Sequence, residues 1–409
     1  MRGLEASVGE VLDRRLLSDR DRPVAIGLSG GGDSVALTLI ADAWAKTARR
    51  PLLILTIDHG LQTQSRDWTQ TCARFAAGLG HAFHALSWTG DKPTTGLPAA
   101  ARAARHRLLA EAAREAGASV LLMGHTADDR LESQAMRAAG STTPDPREWA
   151  PSPAWPEGRG LFLLRPMLEV RRAALRAWLA ARGQAWIDDP ANLDLNSARP
   201  RARQAVSGFT PSARFEAPPL ALAARATHRA GIITIARRVF REATIDDARR
   251  FVALASVCAG GGARRPASTR IHRAAEALRA LETVTLTLAG ARLEADAGEV
   301  RVFREAGEIA RRGLAALTLA PGQATVWDGR FELSIAQRDV RVRRLAGLKG
   351  RLPSVQRSRL RDLPPAARGS LPVLVSGDGS VTCPITGDAR SLIPDRFAAA
   401  AGLVDREPG

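Results

Sequence analysis

Three observations predict an α/β protein: an N-terminal doubly wound parallel sheet, then a helical spacer and a small C-terminal α+β, β-rich domain. Short, wholly apolar runs alternate with helix-like stretches through the first half of the 409-residue chain, the pattern of strands covered on both faces. A glycine-rich turn directly follows the first of those runs, at the strand end where such sheets bind ligands. After Pro219 the texture changes, first to amphipathic helix with arginine on its polar side and then to period-two alternation. We expect three domains, residues 1–210, 211–310 and 311–409.

Residues 24–28 (VAIGL), 52–57 (LLILTI) and 120–123 (VLLM) are the expected buried strands, and residues 81–88 carry a weaker strand pattern. Helices are expected near 34–48, 67–79, 98–116 and 127–138. Residues 141–160, which include Pro144, Pro146, Pro151, Pro153 and Pro156, read as a long surface loop. Residues 161–164 resume as strand and 170–182 as helix, and the polar, Arg-rich stretch 192–219 reads as the exit from the first domain. Residues 220–259 read as helical, broken by Gly260-Gly261-Gly262, with one more helix at 269–281. Residues 284–303 alternate as hairpins do, and 317–393 read as short strands separated by prolines.

Charge is distributed unevenly. There are 59 Lys+Arg against 42 Asp+Glu, a net +17. Residues 1–210 hold 27 basic and 22 acidic groups, whereas residues 211–409 hold 32 and 20 and so carry +12. A cationic second half suits a polyanion such as a phosphate backbone. Because only Lys46, Lys92 and Lys349 are lysines, arginine-rich compositional drift produces the same excess, and charge alone does not decide. An apolar run of membrane-spanning length is absent from the sequence. The first 22 residues are dotted with charge and lack the apolar stretch of a secretory signal. Cys72, Cys258 and Cys383 are far apart and make neither a CxxC pair nor a disulfide framework, so we expect a reducing, cytoplasmic location.

The chemistry centres on Ser29-Gly30-Gly31-Gly32-Asp33-Ser34. Three glycines let the backbone turn tightly against a ligand. The helix that follows offers free N–H groups and its positive end to an anion, and Ser29 and Ser34 add hydroxyls. The turn lacks both the Gly-Lys-Ser/Thr ending of a Walker loop and GxGxxG spacing. Asp33 would repel bound phosphates unless Mg2+ lay between them, so it is the expected metal ligand. Asp58 and His59 end the second strand on the ligand side. His125, Asp128, Asp129 and Glu132 share one strand-to-helix block, with Asp129 and Glu132 three apart on one helix face. Such carboxylates can hold an ammonium group or help deprotonate it. Arg102 and Arg105 share a helix face and suit phosphate or carboxylate recognition.

The turn resembles the signature of the PP-loop ATP pyrophosphatases, which cleave ATP between the α- and β-phosphates and transfer AMP to a substrate oxygen. The blocks that follow it are Thr56–Leu61 (TIDHGL), Ala101–His106 (ARAARH), Gly124–Ser133 (GHTADDRLES), Arg165–Leu168 (RPML), Asp188–Asn192 (DDPAN) and Arg199–Arg203 (RPRAR). Their order and spacing are similar to the tRNA(Ile)-lysidine synthase family, closely over residues 24–203 and more loosely at 286–290 and 363–372. The resemblance implies a reaction. ATP activates the C2 oxygen of the wobble cytidine of tRNA(Ile) with a CAU anticodon. Free L-lysine then attacks C2 through its ε-amino group and displaces AMP. It implies ATP and Mg2+ as cofactors, Asp33, Arg105, His125, Asp129 and Glu132 as catalytic residues, and Ser29, Gly30, Gly31, Gly32, Asp33, Ser34, Asp58 and His59 around the nucleotide. It implies no membrane and no protein partner. His106 stands where the family has tyrosine, Arg130 where it has glutamine, Ser133 where it has threonine and Pro200 where it has asparagine, and Ala138 interrupts an Arg-Gly. The alternatives are a PP-loop tRNA thiolase, which generally needs paired or cluster-binding cysteines, and a tRNA-binding relative without catalysis.

Overall fold

The computed structural model describes residues 3–61, 63–141, 143, 145–189, 198–206, 209, 218–314, 316–387 and 389–409. The chain divides into two compact units, Met1–Ala217 with Val404–Gly409, and Pro218–Leu403. The sequence boundary placed at residue 210 lies outside the described residues, as does most of the expected exit segment 192–219.

In the first unit the elements run α1 (Leu4–Arg15), β1 (Val24–Gly27), α2 (Gly32–Ala48), β2 (Leu52–Asp58), α3 (Ser65–Leu79), β3 (Ala82–Ser87), α4 (Leu97–Glu115), β4 (Val120–Met123), α5 (Ala127–Ala138), β5 (Trp149–Pro151), β6 (Phe162–Leu164), α6 (Arg172–Ala180) and α7 (Ala198–Ala205). The sheet order is β3-β2-β1-β4-β6-β5. All neighbours are parallel except β5, which pairs antiparallel at the edge. The wholly apolar strands β1 and β4 sit in the middle, where helices cover both faces. β1 lies between β2 and β4 with Gly27 opposite Leu55 on one side and Met123 on the other. Connections leave these strands in opposite directions, which opens a crevice at their carboxyl ends. The segments after β1, β2 and β4 therefore meet there.

Residues 141–160 differ from the loop expectation. Trp149–Pro151 forms the edge strand β5, its proline tolerated because one side of an edge strand makes no ladder. Trp149 is buried, stacks on Phe162 at 4.7 Å and donates from Nε1 to the carbonyl of Val404 at 2.8 Å.

The second unit contains α8 (Ala221–Ala224), β7 (Thr227–Arg229), β8 (Ile232–Ala236), α9 (Arg237–Glu242), α10 (Ile245–Gly260), α11 (Ser268–Ala280), β9 (Val284–Leu288), β10 (Ala291–Ala295) and β11 (Glu299–Arg304). The sheet β7-β8-β11-β10-β9 is antiparallel and shares one core with α10 and α11 around Phe240, Phe251 and Leu293. The uniform helical reading of 220–259 is thus corrected, since a hairpin interrupts it. Ala230 and Gly231, at φ +51° and +80°, make its two-residue turn, and the β-branched run Ile232-Ile233-Thr234-Ile235 supplies the strand. The alternation at 284–303 forms the expected hairpins. Further on come α12 (Ala306–Arg312), β12 (Leu317–Leu319), β13 (Thr325–Trp327), β14 (Phe331–Leu333), β15 (Val340–Arg344), α13 (Ser354–Arg359), α14 (Pro365–Arg368), β16 (Pro372–Val375), β17 (Val381–Thr382), β18 (Ala389–Ser391) and α15 (Ile393–Ala401). Their strands make a four-stranded and a three-stranded sheet around a core that includes Trp327, Phe331 and Val342, whereas α15 packs into the core of Phe240 and Phe251.

Candidate active site

The turn from β1 to α2 is shaped by its glycines. Gly30 has φ +81°, and a Cβ there would lie 2.5 Å from Ile187 Cδ1 and 3.2 Å from Cys72 Sγ. Gly31 caps α2 without any side-chain hydrogen bond, an arrangement that suits the first N–H groups of the helix to an anion. Ser34 is buried, and its hydroxyl donates to the Gly31 carbonyl at 2.9 Å and accepts from Ser29 N at 3.2 Å. It stiffens the turn, while Ser29 remains exposed. Gly124, at the exit of β4, packs so tightly on α2 that a Cβ would lie 3.2 Å from the Asp33 carbonyl. That approach brings the His125–Glu132 block against the turn.

A cavity of about 540 Å³ opens here. Ser29, Gly31, Gly32, Asp33, Ser34, His59, Arg105, His125 and Asp129 reach its wall. Gly30, Asp58 and Glu132 are not part of that wall. Asp58 closes its own turn by accepting from Gly60 N at 2.8 Å, and His59 meets Trp88 edge-on at 6.1 Å.

The acidic side of the cavity is saturated with arginine. Arg172 donates from Nε to Asp33 at 2.9 Å, from Nη1 to Glu132 at 3.0 Å and from Nη2 to Asp129 at 3.4 Å. Arg199 bonds Asp129 and, at 2.8 Å, Glu132; Arg203 bonds Glu132 at 2.8 Å. Asp129 also accepts from the Thr126 N–H and hydroxyl at 2.7 and 2.9 Å, closing a capping box at the start of α5. Both carboxylates are therefore buried and fully engaged rather than open to solvent. Burial pushes the Asp33 carboxyl up; Arg172 opposes that rise without cancelling it, and Asp129 adds to it. For Arg172 burial works against the charge, but Asp129, Asp33 and Glu132 hold the guanidinium firmly ionised.

The opposite side is cationic. Arg165 donates from Nε to His125 Nδ1 at 3.3 Å, which leaves the neutral ring's proton on Nε2. Burial, then Arg165, Arg105, Arg199 and Arg102, push His125 well below the usual histidine range, so it is neutral and a donor at Nε2. Burial and the neighbouring Arg102 and Arg199 bring Arg105 down to about 10, and its buried Nε has no partner among the described residues. A guanidinium in this state is poised for an incoming anion.

Asp33 offers one further oxygen, Oδ1, which takes no hydrogen bond from the described residues. No group of three metal-ligating side chains occurs among them. A single carboxylate oxygen suits Mg2+ that arrives with phosphates and waters as its other ligands, so Asp33 fits the ion as a lone protein ligand.

A PP-loop domain model matches residues 4–208. The chain is 48% identical over 412 residues to a tRNA(Ile)-lysidine synthase of Caulobacter vibrioides, covering 98% of each. The chain belongs to the tRNA(Ile)-lysidine synthase family. A synthase of Rhizobium meliloti is 35% identical over 81% of this chain and 77% of the relative. Among solved structures, the U34-tRNA thiolase NcsA of Methanococcus maripaludis aligns at 17% identity and TM-score 0.41, over 50% of this chain and 70% of that one.

None of the residues that depart from the synthase family pattern reaches the cavity wall. His106 is buried, its ring nitrogens have no partner among the described residues, and burial beside Arg105, Arg102 and Arg165 drives it down to about 3. Arg130 turns from the site to pair with Glu169 at 2.9 Å. Sequence reasoning missed Arg172 entirely. Arg165, Arg199 and Arg203 lie inside the motif blocks, which give them no role. No spacing signals Arg172, because its three partners lie 40 to 139 positions away.

Proposed function

We propose that the protein joins free L-lysine to C2 of the wobble cytidine of tRNA(Ile) with a CAU anticodon, through an adenylated tRNA and at the expense of ATP, in the cytoplasm. The observation that carries this reading is one cavity lined by an uncapped helix N-terminus, Asp33, Arg105, His125 and Asp129, with Glu132 joined to Asp129 through Arg172 and Arg199.

In the first step the N–H groups of α2 hold the phosphates of ATP, and the cytidine O2 attacks the α-phosphorus as pyrophosphate leaves. Arg105 and the Nε2 proton of His125 meet the charge that builds on the α-phosphate oxygens. Asp33 would hold Mg2+, which when bound would supply charge neutralisation for the departing pyrophosphate. In the second step Asp129 and Glu132 hold the ε-ammonium of lysine and steer its proton away, so that the free amine attacks C2 and AMP departs. Because arginines already fill these carboxylates, the amine enters only as Arg199 or Arg203 gives way, which keeps the local charge balanced. The basic region 311–409, with exposed Arg341, Arg343, Arg359 and Arg361, supplies phosphate contacts to the body of the tRNA.

A thiolase would need accessible sulfur chemistry. Cys72 lines the cavity with no second cysteine in its wall, and Cys258 and Cys383 are buried, where burial raises both to about 11. The test is mass spectrometry of the wobble nucleoside after incubation with tRNA, ATP and lysine. Lysidine is expected. Pyrophosphate release without lysidine, or a thiolated base when a sulfur donor is supplied, overturns the reading, and absence of pyrophosphate marks a binder without catalysis.

A further inference from the structure

Arg172 has no role in the mechanism above, yet it touches more of the machinery than any residue given one. It opens α6, and its backbone N–H donates to Asp128 Oδ2 at 2.7 Å. The preceding Arg171 holds Asp128 Oδ1 at 3.0 and 3.2 Å. The first turn of α6 is thus fastened to the first turn of α5. From that anchor one guanidinium spans two elements, Asp33 on α2 and Asp129 and Glu132 on α5, giving each carboxylate its own nitrogen. Its side chain is only 15% exposed.

Three carboxylates at this separation repel one another, and nothing in the two helices alone holds them together. A planar guanidinium with donors on fixed edges sets both distance and orientation, which an ammonium on a flexible stem cannot do. Arg199 and Arg203 also bind the α5 carboxylates, but neither bonds Asp33. Among the described residues, no other side chain bonds both Asp33 and the α5 pair.

We propose that Arg172 is a positioning residue that sets the separation between the nucleotide carboxylate Asp33 and the amine carboxylates Asp129 and Glu132, and so couples the two half-reactions. This rests on the ligase reading above. Asp33 serves adenylation and the α5 pair serves lysine. With the separation held, the ε-amine waits beside the C2 that has just been activated. With it relaxed, water reaches C2 first: its oxygen bonds to C2, the C2–O–AMP bond breaks, AMP leaves carrying the former O2, both protons of the water pass to solvent and cytidine is restored. ATP is then consumed without product.

The experiment compares wild type with Arg172→Lys and Arg172→Ala in the full chain. AMP formed, lysidine formed, the KM for lysine and the melting temperature are measured with tRNA, ATP and lysine present. Arg172→Lys keeps the charge but not the three-way fork. We expect AMP in clear excess over lysidine, and a KM for lysine raised about tenfold or more, the size of one missing charge-assisted hydrogen bond. A purely structural role lowers the melting temperature and the active fraction but leaves AMP and lysidine in the wild-type ratio, because that ratio is set per turnover and not by how much protein folds. A wild-type ratio with unchanged KM in the lysine variant overturns the proposal, whatever the alanine variant does. A wild-type enzyme that makes no lysidine at all overturns the ligase reading instead.

Discussion

Arg50 and Glu407 form a buried bidentate ion pair that returns the end of the chain to the first unit. Arg50 Nη1 and Nη2 lie 2.9 and 3.0 Å from the two carboxylate oxygens, and the side chains are 0% and 2% exposed. Leu17 N and Ser119 Oγ donate to the same carboxylate at 2.9 and 3.2 Å. The residues that precede and follow Pro218–Leu403 in sequence thus belong to one unit.

Glu407→Gln therefore leaves a buried guanidinium without its counter-charge, and we expect a loss of about 3–5 kcal/mol, read by denaturant unfolding. Burial would raise the Glu407 carboxyl, but Arg50, Leu17 N–H and Ser119 together hold it below its ordinary value of 4.5. Its folded value is the depressed one, so its contribution is complete above about 4.5 and disappears as pH falls through the lower folded value. Wild type should lose stability across that acid window more steeply than Glu407→Gln. Parallel pH–stability curves would show that the pair does not stabilise the fold.

Asp33→Asn should leave the fold in place and reduce AMP transfer by roughly a hundredfold or more, because the charge that answers the metal is gone. It should be checked by pyrophosphate release at ordinary Mg2+. Normal turnover there would show that the ion is held elsewhere.

Glu132→Gln and Asp129→Asn should damage the lysine step while adenylated tRNA still forms, at least transiently. Since Glu132 is 1% exposed and meets Arg172, Arg199 and Arg203, its neutral variant should also lose stability, about 1–3 kcal/mol as for a buried charged hydrogen bond weakened. Trapping the intermediate by omitting lysine separates the two effects. An intact lysine dependence in both variants would place the amine elsewhere.

His125 is held neutral far below its usual range, so it should contribute no inflection near pH 6.5 to the rate of lysidine formation. His125→Gln should be slower yet keep the shape of the wild-type acid limb. An inflection near 6.5 that vanishes in the variant would show that the ring titrates after all.

Deleting everything beyond about residue 310 is a poor test of the basic region, because it also removes Glu407. Replacing Arg341, Arg343, Arg359 and Arg361, all exposed, by glutamine keeps the tail. Weaker tRNA binding is expected, with the salt slope reduced by roughly 0.7–0.9 for each phosphate no longer neutralised, and ATP binding unchanged. An unaltered slope would place the tRNA-binding surface on other residues.

The parallel sheet and the glycine-rich turn were legible because they depend on local sequence. A run such as VLLM is stable only where both faces are covered, and Ser29–Ser34 needs its glycines whatever lies around it. The hairpin at 227–236 was not legible, since its turn is Ala230-Gly231 and helix-like residues surround it; burial against Phe240 and Phe251 decides it. The family blocks named the carboxylates but not their state. Asp129 and Glu132 look free in the sequence, and only the folded chain shows them filled by arginines from α6 and α7. Arg172 and the Arg50–Glu407 pair are beyond any reading of motifs. Charge pairing acts through space over a few ångströms, and these partners stand up to 357 positions apart along the chain.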